Sequence, residues 1–140
     1  MEFVPKWIAW EITRRCNFGC VHCRSSSELE VIGHPDFSFD EAKRILNDLH
    51  SYANPVVVLS GGEPLLREDV FDIATYGTAL GLRMCLATNG SLVTDNICQQ
   101  MKASGIKMVS LSLDGASAPV HDDFRQQEGA FLGVMQAINH

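Results

Sequence analysis

Apolar and polar positions along the chain switch repeatedly between a period of two residues and a period near 3.6. Trp7-Ile8-Ala9-Trp10-Glu11-Ile12-Thr13 has the aromatic and β-branched make-up of a strand. Ser38-Phe39-Asp40-Glu41 reads as a capping box, and the helix it predicts places Ala42, Ile45, Leu46, Leu49 and Ala53 on one face. Pro55 resets the chain, and Val56-Val57-Val58-Leu59-Ser60 suits a short strand covered on both faces. A second helix is expected over about residues 67–80, with Val70, Ile73, Ala74 and Leu80 apolar and Gly81 as its C-terminal cap. Residues 82–88 predict a third strand. Thr94 caps a third helix that Gly105 ends. The fourth strand is expected over 106–114, where Val109, Leu111 and Leu113 alternate with Ser110, Ser112 and Asp114. A last helix covers about 130–138, and residues 24–37 read as one long loop.

Strand and helix in strict alternation point to an α/β chain of parallel βαβ units. With 140 residues and no low-complexity linker, residues 1–140 are expected to form one domain. A hydrophobic fraction of 46% supports a true core rather than a disordered chain. The net charge of −6, with no basic cluster beyond Arg14-Arg15, argues against a nucleic-acid partner. No apolar run approaches membrane-spanning length, and the first residues have no signal-peptide character. The expectation is a cytoplasmic protein with reduced thiols.

The cysteines change this picture most. Cys16, Cys20 and Cys23 lie within eight residues, directly after the first strand. The spacing would align them on a helix, but Asn17 and Gly19 interrupt one. A disulfide staple is disfavoured by the odd total of five cysteines. Three thiolates so close ask for a soft, multivalent metal centre. The spacing favours an iron–sulfur centre; zinc, with His22 as a fourth ligand, is the alternative. Three ligands on an iron–sulfur centre would leave one coordination position open for chemistry.

All four predicted strands end in polar, glycine-bearing segments, which a parallel barrel would gather on one rim. Gly61-Gly62-Glu63-Pro64 either lets the backbone approach a ligand, with Glu63 accepting from an ammonium group, or is a tight turn. Thr88-Asn89-Gly90 precedes a helix and so suits a pocket lining better than a hairpin. Ser112 and Asp114 suit hydroxyl recognition, as in a ribose, although Asp114 could also serve as a cap. Arg125 could grip a carboxylate through its planar fork or stand as a surface charge. Cys85 and Cys98 read as small hydrophobes.

Cys16-x3-Cys20-x2-Cys23, Gly61-Gly62-Glu63-Pro64 and Ser112-Leu113-Asp114-Gly115, in that order, resemble the radical S-adenosylmethionine superfamily. The resemblance implies a partial parallel (βα) barrel, with about four of the family's roughly six units present. It implies that Cys16, Cys20 and Cys23 hold a 4Fe-4S cluster whose fourth iron chelates S-adenosylmethionine. It further implies that Gly61, Gly62 and Glu63 hold the methionine ammonium and that His22 borders the adenine. Thr88 and Asn89 would line the pocket, Ser112 and Asp114 face the ribose, and Arg125 meet the methionine carboxylate. The implied chemistry is reductive cleavage to a 5′-deoxyadenosyl radical that abstracts hydrogen, with an external electron donor.

The opening segment through Cys16, and His121-Asp122-x-x-Arg125 followed by Gly129-Ala130-Phe131, are similar to the branch that includes haem and haem d1 synthesis and peptide maturation. A tetrapyrrole side chain is the expected substrate, with a peptide as the alternative and a non-catalytic iron–sulfur or zinc module as the rival of another class. The length predicts the N-terminal portion of a longer enzyme, its fourth strand left as an open edge.

Overall fold

The computed structural model describes residues 4–25 and 35–140. Four strands pair in parallel in the order β1-β2-β3-β4: β1 (Trp7–Glu11), β2 (Val56–Ser60), β3 (Arg83–Thr88) and β4 (Val109–Leu111). Helix α1 (Phe39–Tyr52) joins β1 to β2, α2 (Val70–Ala79) joins β2 to β3, and α3 (Asp95–Ala103) joins β3 to β4. Two helices follow, α4 (Ala118–Arg125) and α5 (Ala130–Asn139). Among the described residues the sheet is open, not a closed barrel. None of the described helices is long and apolar enough to cross a membrane.

The capping box at α1 forms as expected. The Glu41 amide donates to Ser38 Oγ, and the Ser38 amide donates to Glu41 Oε2 at 2.8 Å. Ala42 and Leu46 on this helix are completely buried against Val57, Leu59, Met84 and Leu86, which share one face of the sheet. The opposite face belongs to the other parity of each strand. In register these are Glu11 beside Ser60, Val58 beside Cys85, and Ala87 beside Ser110. Its residues become polar toward the strand ends, and there a cavity opens.

Several expectations need correction. Helix α2 begins at Val70 rather than near Arg67, because a 3-10 turn over Pro64–Leu66 occupies the space before it. Arg67 is instead buried, donating to the carbonyls of Ile12 (2.7 Å) and Phe37 (2.6 Å) while paired with Asp69. It clamps the chain where β1 passes into the cysteine loop. Strand β4 is three residues long, not nine, and its expected apolar face is only partly covered: Leu111 packs against the core, but Val109 and Leu113 are 39% and 47% exposed. Among the described residues β4 pairs with β3 alone. Residues Ala118–Arg125, for which the hydrophobic pattern predicts no element, form helix α4. The expected loop at 24–37 falls largely outside the described residues.

Candidate functional site

The loop that carries Cys16, Cys20 and Cys23 lies directly on Gly61 and Gly62. The Gly62 amide donates to the Thr13 carbonyl (2.9 Å) and the Glu63 amide to the Arg15 carbonyl (2.8 Å), extending the parallel ladder past the strand ends. A Cβ on Gly61 would stand 2.2 Å from Thr13 O, and one on Gly62 would stand 2.3 Å from Arg15 O. These contacts are far inside van der Waals range. The close approach that demands glycine here is therefore made by the cysteine loop's own backbone, not only by a ligand.

Cys16 is buried, and burial pushes its thiol pKa up. Cys20 is half-buried, and Cys23, whose amide donates to the Cys20 carbonyl, is exposed. All three line one cavity of about 330 Å³, within the range of small-ligand sites. Among the described residues, no group of three His, Cys, Asp or Glu could hold a single metal ion. The thiols instead surround a shared space, and the five cysteines form no disulfide.

The other expected site residues divide into two sets. His22, Gly61, Gly62, Thr88, Asn89, Ser112 and Arg125 reach the cavity wall with the cysteines. Glu63 and Asp114 do not. Glu63 is completely buried and turned into the protein, where its carboxylate accepts from Leu65 N (3.1 Å), Thr88 Oγ1 (2.8 Å) and Asn89 N (2.7 Å). Burial pushes its pKa up, against the pull of those three donors. Its observed contacts brace the end of β2 against the end of β3.

Asp114 sits behind Arg125 and pairs with it, and Arg125 Nη1 reaches Cys20 Sγ at 3.5 Å. Burial opposes the guanidinium charge, but the contacts to Cys20 and Asp114 prevail and hold the Arg125 pKa up. His22 stacks face to face on Phe124, ring centroids 4.3 Å apart at 15°, and the Val21 amide donates to the Phe124 carbonyl. Helix α4 thus holds the outer end of the cysteine loop.

Three participants escaped the sequence reading. Asn17, noted only as a helix breaker, accepts from Asn89 Nδ2 and donates to Ser91 Oγ, both at 2.9 Å, so a polar latch joins the cysteine loop to the end of β3. Phe124 backs His22. Glu11 lines the cavity and pairs with Arg24 at 2.9 Å; hydrogen bonds from Arg24 and Ser25 hold its pKa down. Only Glu11 left a trace in the sequence, as the one charged position inside an otherwise apolar strand.

The sequence model of the Radical SAM superfamily matches residues 10–140. Over 138 residues the chain is 49% identical to an AdoMet-dependent heme synthase of Methanosarcina barkeri, covering 99% of this chain and 39% of that protein. It is 34% identical over 136 residues to a mycofactocin maturase of Mycolicibacterium smegmatis, covering 97% of this chain and 34% of the relative. The chain thus spans little more than a third of the length of these relatives. Streptococcus suis SuiB bound to S-adenosylmethionine superposes with a TM-score of 0.71 at 17% identity, over 89% of this chain and 29% of that one; this likeness concerns the fold. With a match spanning nearly every residue and the three-cysteine loop seated on the glycine pair, the chain belongs to the Radical SAM superfamily.

Proposed function

We propose that this chain carries the cluster- and cofactor-binding part of a radical S-adenosylmethionine enzyme that abstracts hydrogen from a tetrapyrrole side chain in haem synthesis. One observation carries the cofactor assignment: three thiols of a single loop share a cavity with two glycines and with the polar ends of the strands. Cys16, Cys20 and Cys23 would hold a 4Fe-4S cluster, and Gly61, Gly62, Thr88, Asn89, Ser112 and Arg125 offer the polar wall for S-adenosylmethionine. Such a cluster supplies the electron that cleaves the sulfonium and yields a 5′-deoxyadenosyl radical for hydrogen abstraction.

The residues present fit these groups. The thiols line one cavity without converging as a single zinc ion requires, and Arg125 supplies a positive charge beside Cys20. The protein's own work is to seat the loop, hold Arg125 through Asp114, and present the stacked His22 ring. A purine can pack against such a ring. Glu63 contributes in this reading as a brace, its carboxylate taken up by Leu65, Thr88 and Asn89 rather than by the ligand's ammonium.

The tetrapyrrole substrate is supported by the 49% identity to a heme synthase, against 34% to the peptide maturase. The peptide reading is second. Anaerobic reconstitution with iron and sulfide, followed by reduction and electron paramagnetic resonance, tests the cofactor assignment. The expected result is a reduced-cluster signal that changes on adding S-adenosylmethionine and disappears in Cys20→Ala. A signal indifferent to the cofactor, or bound zinc instead of iron, overturns it. Incubating the active protein with an iron porphyrin bearing propionates, and with a peptide, then separates the two substrate classes by which one consumes the cofactor.

A further inference from the structure

His121 is completely buried in α4, although an imidazole has two polar atoms to satisfy. Its Nδ1 accepts a hydrogen bond from the backbone amide of Asp114 at 3.1 Å. That bond places the ring proton on Nε2, which is buried with no partner. An unpartnered buried donor is a cost that a purely apolar side chain would avoid. Phe131 lies edge-on to the ring at 6.0 Å, so an apolar residue would have packed well there. What distinguishes histidine at this position is the acceptor it offers to Asp114.

That acceptor stands at the head of a short chain of contacts. Gly115 lies hard against α4, since a Cβ there would be 2.5 Å from the His121 amide nitrogen. The turn after β4 is therefore docked closely on the helix at His121. Asp114, fixed by its backbone, turns its carboxylate to Arg125, one helical turn beyond His121. Arg125 then lines the cavity and reaches Cys20.

We propose that His121 is a positioning residue: its Nδ1 holds the Asp114 backbone so that the Asp114 carboxylate keeps the Arg125 guanidinium on the cavity wall. Its effect on ligand binding rests on the cavity being the S-adenosylmethionine site, whereas its effect on Asp114 does not.

Two substitutions separate this role from packing. The side-chain oxygen of Asn lies as many bonds from Cβ as Nδ1 does, while the polar atoms of Gln fall near Nε2. His121→Gln is expected to speed hydrogen exchange of the Asp114 amide about tenfold, and to weaken S-adenosylmethionine binding to the reconstituted protein by a similar factor, the worth of one hydrogen bond. His121→Asn is expected to restore both. Equal exchange in wild type and the Gln variant, or equal loss in both variants, overturns the proposal. In the unmutated protein, nitrogen-15 NMR should find the His121 proton on Nε2; a proton on Nδ1 overturns the proposal with no variant needed. Should the wild type bind no S-adenosylmethionine, the functional reading fails, and the exchange and tautomer measurements still decide the role of His121.

Discussion

Gly62 has no room for a methyl group, because its missing Cβ would lie 2.3 Å from the Arg15 carbonyl oxygen and 2.8 Å from Cys16 Cβ. Gly19, inside the cysteine loop itself, is unlike it: a Cβ there meets only Gln126 Cβ, at 3.9 Å. The two glycines therefore separate seating from flexibility. Gly62→Ala should push the loop off its seat at a cost of about 1–3 kcal/mol, as overpacking does, and move Cys16 with it. Gly19→Ala should leave the loop in place. Iron bound per chain after reconstitution measures the difference, with a sharp drop expected for Gly62→Ala and near-normal loading for Gly19→Ala. Equal loading in both would mean that the close contact does not control the cysteine geometry. Glu63 shows the same principle from the polar side. Its bonds to Thr88 and Asn89 fix one strand end to the next, so this wall of the cavity is set before any ligand arrives.

At the scale of elements, α4 is held by its polar residues, and one of them also starts the next helix. Asp122 accepts from the Phe131 amide (2.7 Å) and the Gly129 amide (2.8 Å), capping the N-terminus of α5 from the helix before it. The Phe131 bond, joined by that from Gly129, holds its pKa below the usual aspartate value. A depressed carboxylate lends stability that is complete above about pH 4 and lost as the pH falls through its native value. Asp122→Asn should thus lower the urea midpoint at neutral pH and flatten its decline in acid. The flattening is partial, because Glu41, bonded to Ser38, has the same sign. Parallel acid limbs for the two proteins would show that the cap does not depend on charge. The same helix explains what the sequence disclosed and what it hid. β2 and β3 were legible because continuous apolar runs leave little choice for a buried parallel strand. Helix α4 was not, because the residues it buries are His121 and Arg125, which no hydrophobic period detects. β4 was overdrawn for the opposite reason: alternation continues in sequence where, among the described residues, the sheet has no second neighbour to pair with. Among the site residues, the cysteines, the glycine pair and Ser112 could be placed on the rim from the strand ends alone. The inward turn of Glu63 could not, since it depends on an amide 26 residues away in the chain.

At the scale of the whole molecule, the cavity exists only while the sheet is assembled. Its wall takes Glu11 at the end of β1 and the cysteine loop beyond it, Ser60 at the end of β2 and the glycines beyond it, Ala87 and Thr88 of β3 with Asn89 beyond, and Ser112 after β4. A ligand filling this cavity would meet residues from the ends of all four strands, so its binding should be linked to global unfolding rather than to the fraying of one loop. Saturating the cluster-loaded protein with S-adenosylmethionine at one hundred times its dissociation constant should stabilise it by about 2.7 kcal/mol. For a chain of 140 residues that corresponds to a rise of about 9 °C in Tm, given the usual unfolding entropy per residue. Cys20→Ala, prepared in the same way, should show almost none of this rise if the cluster anchors the cofactor. Anaerobic thermal unfolding across a range of cofactor concentrations makes the measurement, and its concentration dependence distinguishes linkage from a salt effect. An equal rise in both proteins would mean that the polar wall binds the cofactor without the cluster. A rise in neither, with binding shown independently, would mean that the unfolded chain binds the ligand as well as the folded one does, so that the assembled cavity is not its site.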